Sequence, residues 1–166
     1  MRMIVADSCA LIDLKKGGLL DIFLELPFEL IVPDIILADE LLSFTEVETA
    51  GMRRRMTVGH LDGEQVRQAE ETQRVNPALS LYDCAAFILA QANPGAVLLT
   101  GDRRLRVVAE SVGVECHGVL WVVDELAKAK PDSHKQLISA LETWRDDVLL
   151  RLPAADLDRA LRLLRE

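Results

Sequence analysis

Apolar and polar positions fall in short blocks along this chain. Residues 3–6, Met-Ile-Val-Ala, are wholly apolar and predict a short buried strand, with Asp7 where that strand stops. From Ser8 the pattern changes to helical spacing and runs to the Gly17-Gly18 stop. Residues 19–26 predict a short apolar helix that Pro27 ends, and residues 28–32 a second strand closed by Pro33. Asp34 is placed to cap a helix over residues 35–44. On it Ile36, Leu37, Glu40 and Leu41 share one face, while Asp39 points about a quarter turn away. Residues 45–55 are polar and end in Arg53-Arg54-Arg55. Residues 56–61 alternate weakly, which predicts a third, outer strand.

Asp62 with Gln65 three positions on predicts a capped helix reaching about Val75, before Asn76-Pro77. Ser80 opens the next helix, and residues 84–92 are almost wholly apolar, so that helix is buried on most sides. Asn93-Pro94-Gly95 reads as a turn, and residues 96–100 as a central strand. Gly101-Asp102 leads into an amphipathic helix with Leu105, Val108, Ala109 and Val112 on one face and Gly113 as its cap. Residues 114–116 predict a fifth strand, His117-Gly118 a turn, and residues 119–129 a helix. Strands alternating with helices specify βαβ units, hence an α/β fold of three layers, α/β/α, around a mostly parallel five-stranded sheet. After Pro131-Asp132-Ser133 the pattern predicts two helices, residues 134–150 and 154–165, and no strand. The expected organisation is one core domain, residues 1–130, and a helical extension, residues 131–166, packed on the core or on a partner.

Half of the 166 residues are hydrophobic and only 4% aromatic, so a sizeable aliphatic core is expected. The net charge of −8 argues against broad, sequence-blind nucleic-acid binding, which needs a basic face. It leaves room for a nuclease whose carboxylates gather cations. Cys9, Cys84 and Cys116 are widely spaced and contain no C-x-x-C pair; they read as buried free thiols. The N-terminal apolar run is too short for a signal peptide or a membrane span, which predicts a soluble, cytoplasmic protein.

Four acids stand in unusual company. Asp7 ends the first strand and Asp102 follows the fourth, so in a parallel sheet both lie on the carboxyl edge, where α/β folds hold ligands. Glu40 and Asp83 lie on helices with apolar surroundings that feed the same edge through right-handed crossovers. Each acid also has a plainer role: Asp7, Asp83 and Asp102 as helix caps, Glu40 as an ion-pair partner. Taken jointly, carboxylates in one cleft repel one another unless a cation lies between them. With oxygen donors alone that cation is Mg²⁺ or Mn²⁺, and the matching chemistry is phosphodiester hydrolysis. His60, His117 and His134 are scattered and form no set with an activated serine. A phosphoryl-transfer receiver domain is a third, disfavoured reading: it expects an acidic pair at the end of the first strand and a lysine after the last, whereas Ala6-Asp7 supplies one acid and no lysine lies between Lys16 and Lys128.

Val5-Ala6-Asp7-Ser8 with Leu11-Ile12, then Val32-Pro33 leading to Glu40-Leu41, then Asp83-Cys84-Ala85-Ala86, then Leu99-Thr100-Gly101-Asp102-Arg103-Arg104-Leu105, resemble in order and spacing the PIN domain. This is the fold of the VapC-type toxin ribonucleases of prokaryotic toxin–antitoxin pairs. The resemblance covers residues 1 to about 125. It implies strand order 3-2-1-4-5 and a Mg²⁺- or Mn²⁺-dependent endoribonuclease acting on single-stranded RNA. The family's four acids fall on Asp7, Glu40, Asp83 and Asp102, and two supporting hydroxyls on Ser8 and Thr100. A homodimer and a cognate antitoxin are implied in the same way. Two departures stand out. Arg104 occupies a place where many members carry a further acid or amide, which favours one resident ion. The helical tail exceeds the family's usual end and can serve as dimerisation element, partner dock or cover. Arg103, Arg104 and Arg106, and separately Arg53, Arg54 and Arg55, are candidates to receive the RNA backbone. The alternative to an enzyme is a PIN-like module that binds RNA or protein without hydrolysis.

Overall fold

Strand β1 (Met3–Ala6) forms the middle of the sheet in a computed structural model that describes residues 1–150 and 152–166. It is flanked by β2 (Glu29–Pro33) and β4 (Val97–Leu99), with β3 (Thr57–Gly59) and β5 (Glu115–His117) outermost. The order is β3-β2-β1-β4-β5 and every pairing is parallel, so no antiparallel edge is added to the expected topology. Ile4, Val5 and Ala6, and Val97, Leu98 and Leu99, are fully buried. A strand covered on both faces has no reason to alternate, which is why these runs are continuously apolar. The outer strands are short and carry exposed Thr57 and Glu115.

Helices cover both faces. On one lie α5 (Gly63–Val75), α6 (Leu81–Ala92) and α7 (Arg103–Ser111); on the other lie α1 (Ser8–Lys16), α2 (Leu20–Phe23), α8 (Val119–Ala129), α9 (His134–Asp146) and α10 (Ala154–Arg165). The almost wholly apolar α6 crosses β1, β2 and β4 and buries an unbroken run from Cys84 to Ala90. Gly59 lets it approach: a Cβ there would stand 2.8 Å from Leu89 Cδ1. The capping boxes at Asp62/Gln65 and Ser80/Asp83 both form, with reciprocal side-chain and backbone hydrogen bonds.

Several boundaries differ from the sequence expectation: His117 is strand rather than turn, α9 ends at Asp146 rather than residue 150, and residues 34–55 depart most. Helix α3 (Asp34–Asp39) stops before Glu40 rather than running to residue 44. Leu41 and Phe44 must both reach the core, and Lys15 Nζ, 4.8 Å from the Phe44 ring centroid, holds the turn by donating to the Ser43 carbonyl. Asp34 is the first helical residue, not the cap, and Pro33 holds the cap position. The polar stretch 45–55 contains helix α4 (Glu46–Arg55), fixed by a Thr45/Glu48 capping box. Met52 is its one buried residue, too little apolar pattern to read from sequence.

The C-terminal helices join the same core. Trp144 is fully buried against α1: its indole N–H donates to the Asp13 carbonyl at 2.8 Å, and a Cβ at Gly17 would meet the ring at 2.8 Å. Leu157 and Leu161 of α10 are buried as well. Among the described residues no helix is long and apolar enough to cross a membrane.

Candidate active site

The order of the sheet reverses between β1 and β4, and their carboxyl ends open a crevice there. Three helix N-termini point at it, because α1 follows β1, α7 follows β4, and α6 runs antiparallel to the strand it precedes. Asp7 and Asp102 cap α1 and α7, while Asp83 is the third residue of α6 and completes a box with the Ser80 cap. Asp7 Oδ1 accepts from the Ala10 amide at 2.8 Å. Asp83 Oδ2 accepts from the Ser80 amide at 3.0 Å. Asp102 Oδ1 accepts from the amides of Arg104 and Leu105 at 2.8 and 3.2 Å. The capping role and the site role are thus held by the same side chains. One oxygen is committed to the helix; among the described residues no hydrogen bond reaches Asp7 Oδ2, Asp83 Oδ1 or Asp102 Oδ2. The positive end of each helix favours a carboxylate at that position.

Asp7 is the buried member. Its side chain has no exposure, and Oδ2 lacks a hydrogen-bond partner. Burial pushes its carboxyl up to about 7; the Thr100 hydroxyl and the Ala10 amide pull it down, and the charges of Asp83 and Asp102 raise it further. Thr100 is itself buried, and its Oγ1 accepts from the Asp102 amide at 3.0 Å, which ties the end of β4 to the start of α7. Ser8 Oγ donates to Glu40 Oε1 at 3.1 Å and brings the fourth acid to the first turn of α1.

Two further groups face the crevice that sequence reasoning did not single out. Cys9 is exposed as a residue, unlike Cys84 and Cys116, which corrects the expectation of three buried thiols. Desolvation of its thiol and then the charges of Asp7, Asp83, Asp13 and Asp102 push it up to about 12, which places it among the acids as an inert, protonated thiol. Asp13, one helical turn beyond Cys9, has an oxygen 3.7 Å from where a Cβ at Gly101 would stand. Burial first, with Asp147 adding and Lys16 opposing, raises its carboxyl to about 6. The i, i+4 spacing of Cys9 and Asp13 was the available signal.

The basic candidates separate. Arg103 and Arg104 are exposed in the first turn of α7, beside Asp102. Arg106 is half-buried and reaches toward Gly118. Arg53, Arg54 and Arg55 end α4, which leads into the start of β3, so the topology puts them at the opposite edge of the sheet from the crevice. The histidines stay outside the cluster. His60 pairs with Asp34, and His117 stacks on Trp121 with centroids 4.6 Å apart while its Nε2 meets Glu115. Burial, Arg2 and Arg106 hold the His117 imidazole below its usual pKa.

Among the described residues, no three histidine, cysteine or carboxylate side chains stand close enough together to form a finished metal-ligating set. The donor chemistry nevertheless suits a hard divalent cation: oxygen ligands only, one of them buried without a partner. A family profile described as a PIN domain matches residues 3–166, from the first strand through the last helix. No curated protein matches the sequence. PIN domains are generally nucleases and typically use divalent metals. A parallel sheet of order 3-2-1-4-5, strand-end acids at its switch point and a profile match over nearly its whole length show that the chain belongs to the PIN-domain family.

Proposed function

We propose that this protein is a Mg²⁺- or Mn²⁺-dependent endoribonuclease that hydrolyses phosphodiester bonds of single-stranded RNA. The observation that carries the reading is the Asp7 carboxylate: fully buried, with an unpartnered oxygen, and close enough to Asp83 and Asp102 for their charges to raise its pKa. An orphaned buried carboxylate oxygen costs free energy that a bound cation recovers. Asp7, Asp83, Asp102 and Glu40 would hold that ion. When bound, the ion neutralises a phosphate oxygen and acidifies water for attack on phosphorus. The chain's own part is orientation: backbone amides at three helix N-termini fix the aspartates, Ser8 holds Glu40, and Thr100 ties the end of β4 to the start of α7.

Arg103 and Arg104, exposed in the first turn of α7, would receive the RNA backbone, with Arg106 supporting them. Arg53, Arg54 and Arg55 would contact RNA only along a strand that passes around the sheet. The finer assignment is the toxin of a type II toxin–antitoxin pair, homodimeric and cytoplasmic, with a nuclease unit in residues 1–130 and a helical extension in residues 131–166. A second reading, an inactive PIN-like module that binds RNA or protein, draws on the separation of the carboxylates and on Arg104. One experiment separates them: single-stranded RNA incubated with the protein and Mn²⁺ or Mg²⁺. Cleavage that EDTA stops and Asp7→Asn abolishes supports the nuclease. A wild type that binds neither ion and leaves RNA intact supports the module.

A further inference from the structure

Glu40 reaches the crevice by a different route from the three aspartates. Asp7, Asp83 and Asp102 ride on helix N-termini and are locked there by hydrogen bonds from backbone amides. Glu40 sits at the C-terminal end of α3, a helix of six residues without a side-chain N-cap. The chain then turns through exposed Leu42 and Ser43. A helix this short has little stiffness of its own, so the position of Glu40 depends on what grips that end. Besides buried Leu41, three side-chain contacts do: Ser8 Oγ on Glu40 itself, Lys15 on the Ser43 carbonyl, and the Tyr82 hydroxyl, which donates to Asp39 Oδ2 at 3.0 Å.

Tyr82 is the chain's single tyrosine and the residue before Asp83. Its ring packs against the core, and its hydroxyl extends from the first turn of α6 to an exposed bond with Asp39. The residue it grips, Asp39, directly precedes Glu40. We infer that Tyr82 is a positioning residue for Glu40: its bond to Asp39 pins the end of α3 to α6 and sets where the Glu40 carboxylate stands relative to Asp83. The consequence for the cation rests on the reading above that Glu40 belongs to the metal-holding set. The local consequence, an ordered 39–44 segment, does not.

The test compares Tyr82→Phe, Asp39→Ala, their combination and Asp39→Asn, in the full chain, with two measurements. Amide hydrogen exchange without metal reads residues 40–44, and calorimetric titration with Mn²⁺ reads the site. Tyr82→Phe and Asp39→Ala should each speed exchange in that segment alone and weaken Mn²⁺ binding by about two- to tenfold, the effect of losing one hydrogen bond that acts through the neighbouring residue. The double variant should be no worse than either single one. Asp39→Asn keeps an oxygen acceptor for the hydroxyl and should behave as wild type, a rescue that a purely structural carboxylate would not show. Unchanged exchange, additive losses, or Asp39→Asn as impaired as Asp39→Ala overturns the inference. A wild type that binds no Mn²⁺ overturns the cation reading instead, and the exchange measurement still decides whether Tyr82 holds this segment.

Discussion

Asp7 shows how one carboxylate can satisfy two demands. Its Oδ1 closes the first turn of α1, and its Oδ2 is left buried without a partner. Burial outweighs the Thr100 and Ala10 groups that favour the charged form, and the sign of the resulting cost is testable. An acid whose folded pKa is raised from 3.8 to about 7 stays protonated in the native state while the unfolded chain ionises. Stability of the metal-free protein should therefore fall as pH rises from about 4 to about 7 and level off above. Asp7→Asn keeps the cap acceptor and removes the titration. It should match wild type near pH 4 and exceed it at pH 8, by at most about 4 kcal/mol for a shift of about three pKa units. Urea unfolding at the two pH values measures this, and a pH-independent difference between the two proteins would show that Asp7 ionises normally.

At the scale of elements, what could be read from sequence was what local chemistry decides. β1 and β4 declared themselves by continuous apolar runs, and α5 and α6 by their capping boxes. These signals need no knowledge of the rest of the fold. Helix α4 was missed because its single buried residue, Met52, leaves no apolar stripe; its own capping box, Thr45 with Glu48, was the signal overlooked. Helix α3 is shorter than its pattern predicts because its end is decided by Lys15 and Tyr82, from two other places in the chain, and by Phe44 turning into the core. The caps also make a prediction. Ser80→Ala removes the acceptor for the Asp83 amide and should cost about 1 kcal/mol. In a domain of this size that lowers the thermal midpoint by about 2–4 °C. Because the Ser80 amide still holds Asp83 Oδ2, Mn²⁺ affinity should change less than in Tyr82→Phe, and a larger loss would show that the serine hydroxyl itself orients Asp83.

For the whole molecule, the C-terminal helices brace the site from behind. Trp144 closes over Gly17 and bonds to the Asp13 carbonyl, and Lys16 pairs with Asp147 at 3.4 Å, so α9 is keyed to the helix that carries Asp7, Ser8, Cys9 and Asp13. Trp144→Ala should destabilise the protein by about 3–5 kcal/mol. Hydrogen exchange should then rise in α1 as well as in α9; protection kept in α1 would mean the tail is an independent appendage. The sequence by itself determined the alternation of strands and helices, the parallel sheet, and the strand-end and helix-start positions of Asp7, Asp83 and Asp102, because each follows from short-range periodicity and capping. Tertiary structure alone decided which acids share the crevice and how. Asp13 enters it through the close approach of Gly101, and Glu40 is gripped by Ser8 beside an Asp39 held by Tyr82. The Arg53–Arg55 run falls at the far edge because α4 must enter β3 from there. Contacts between residues dozens of positions apart leave no periodic trace in a chain, so only the folded arrangement reveals them.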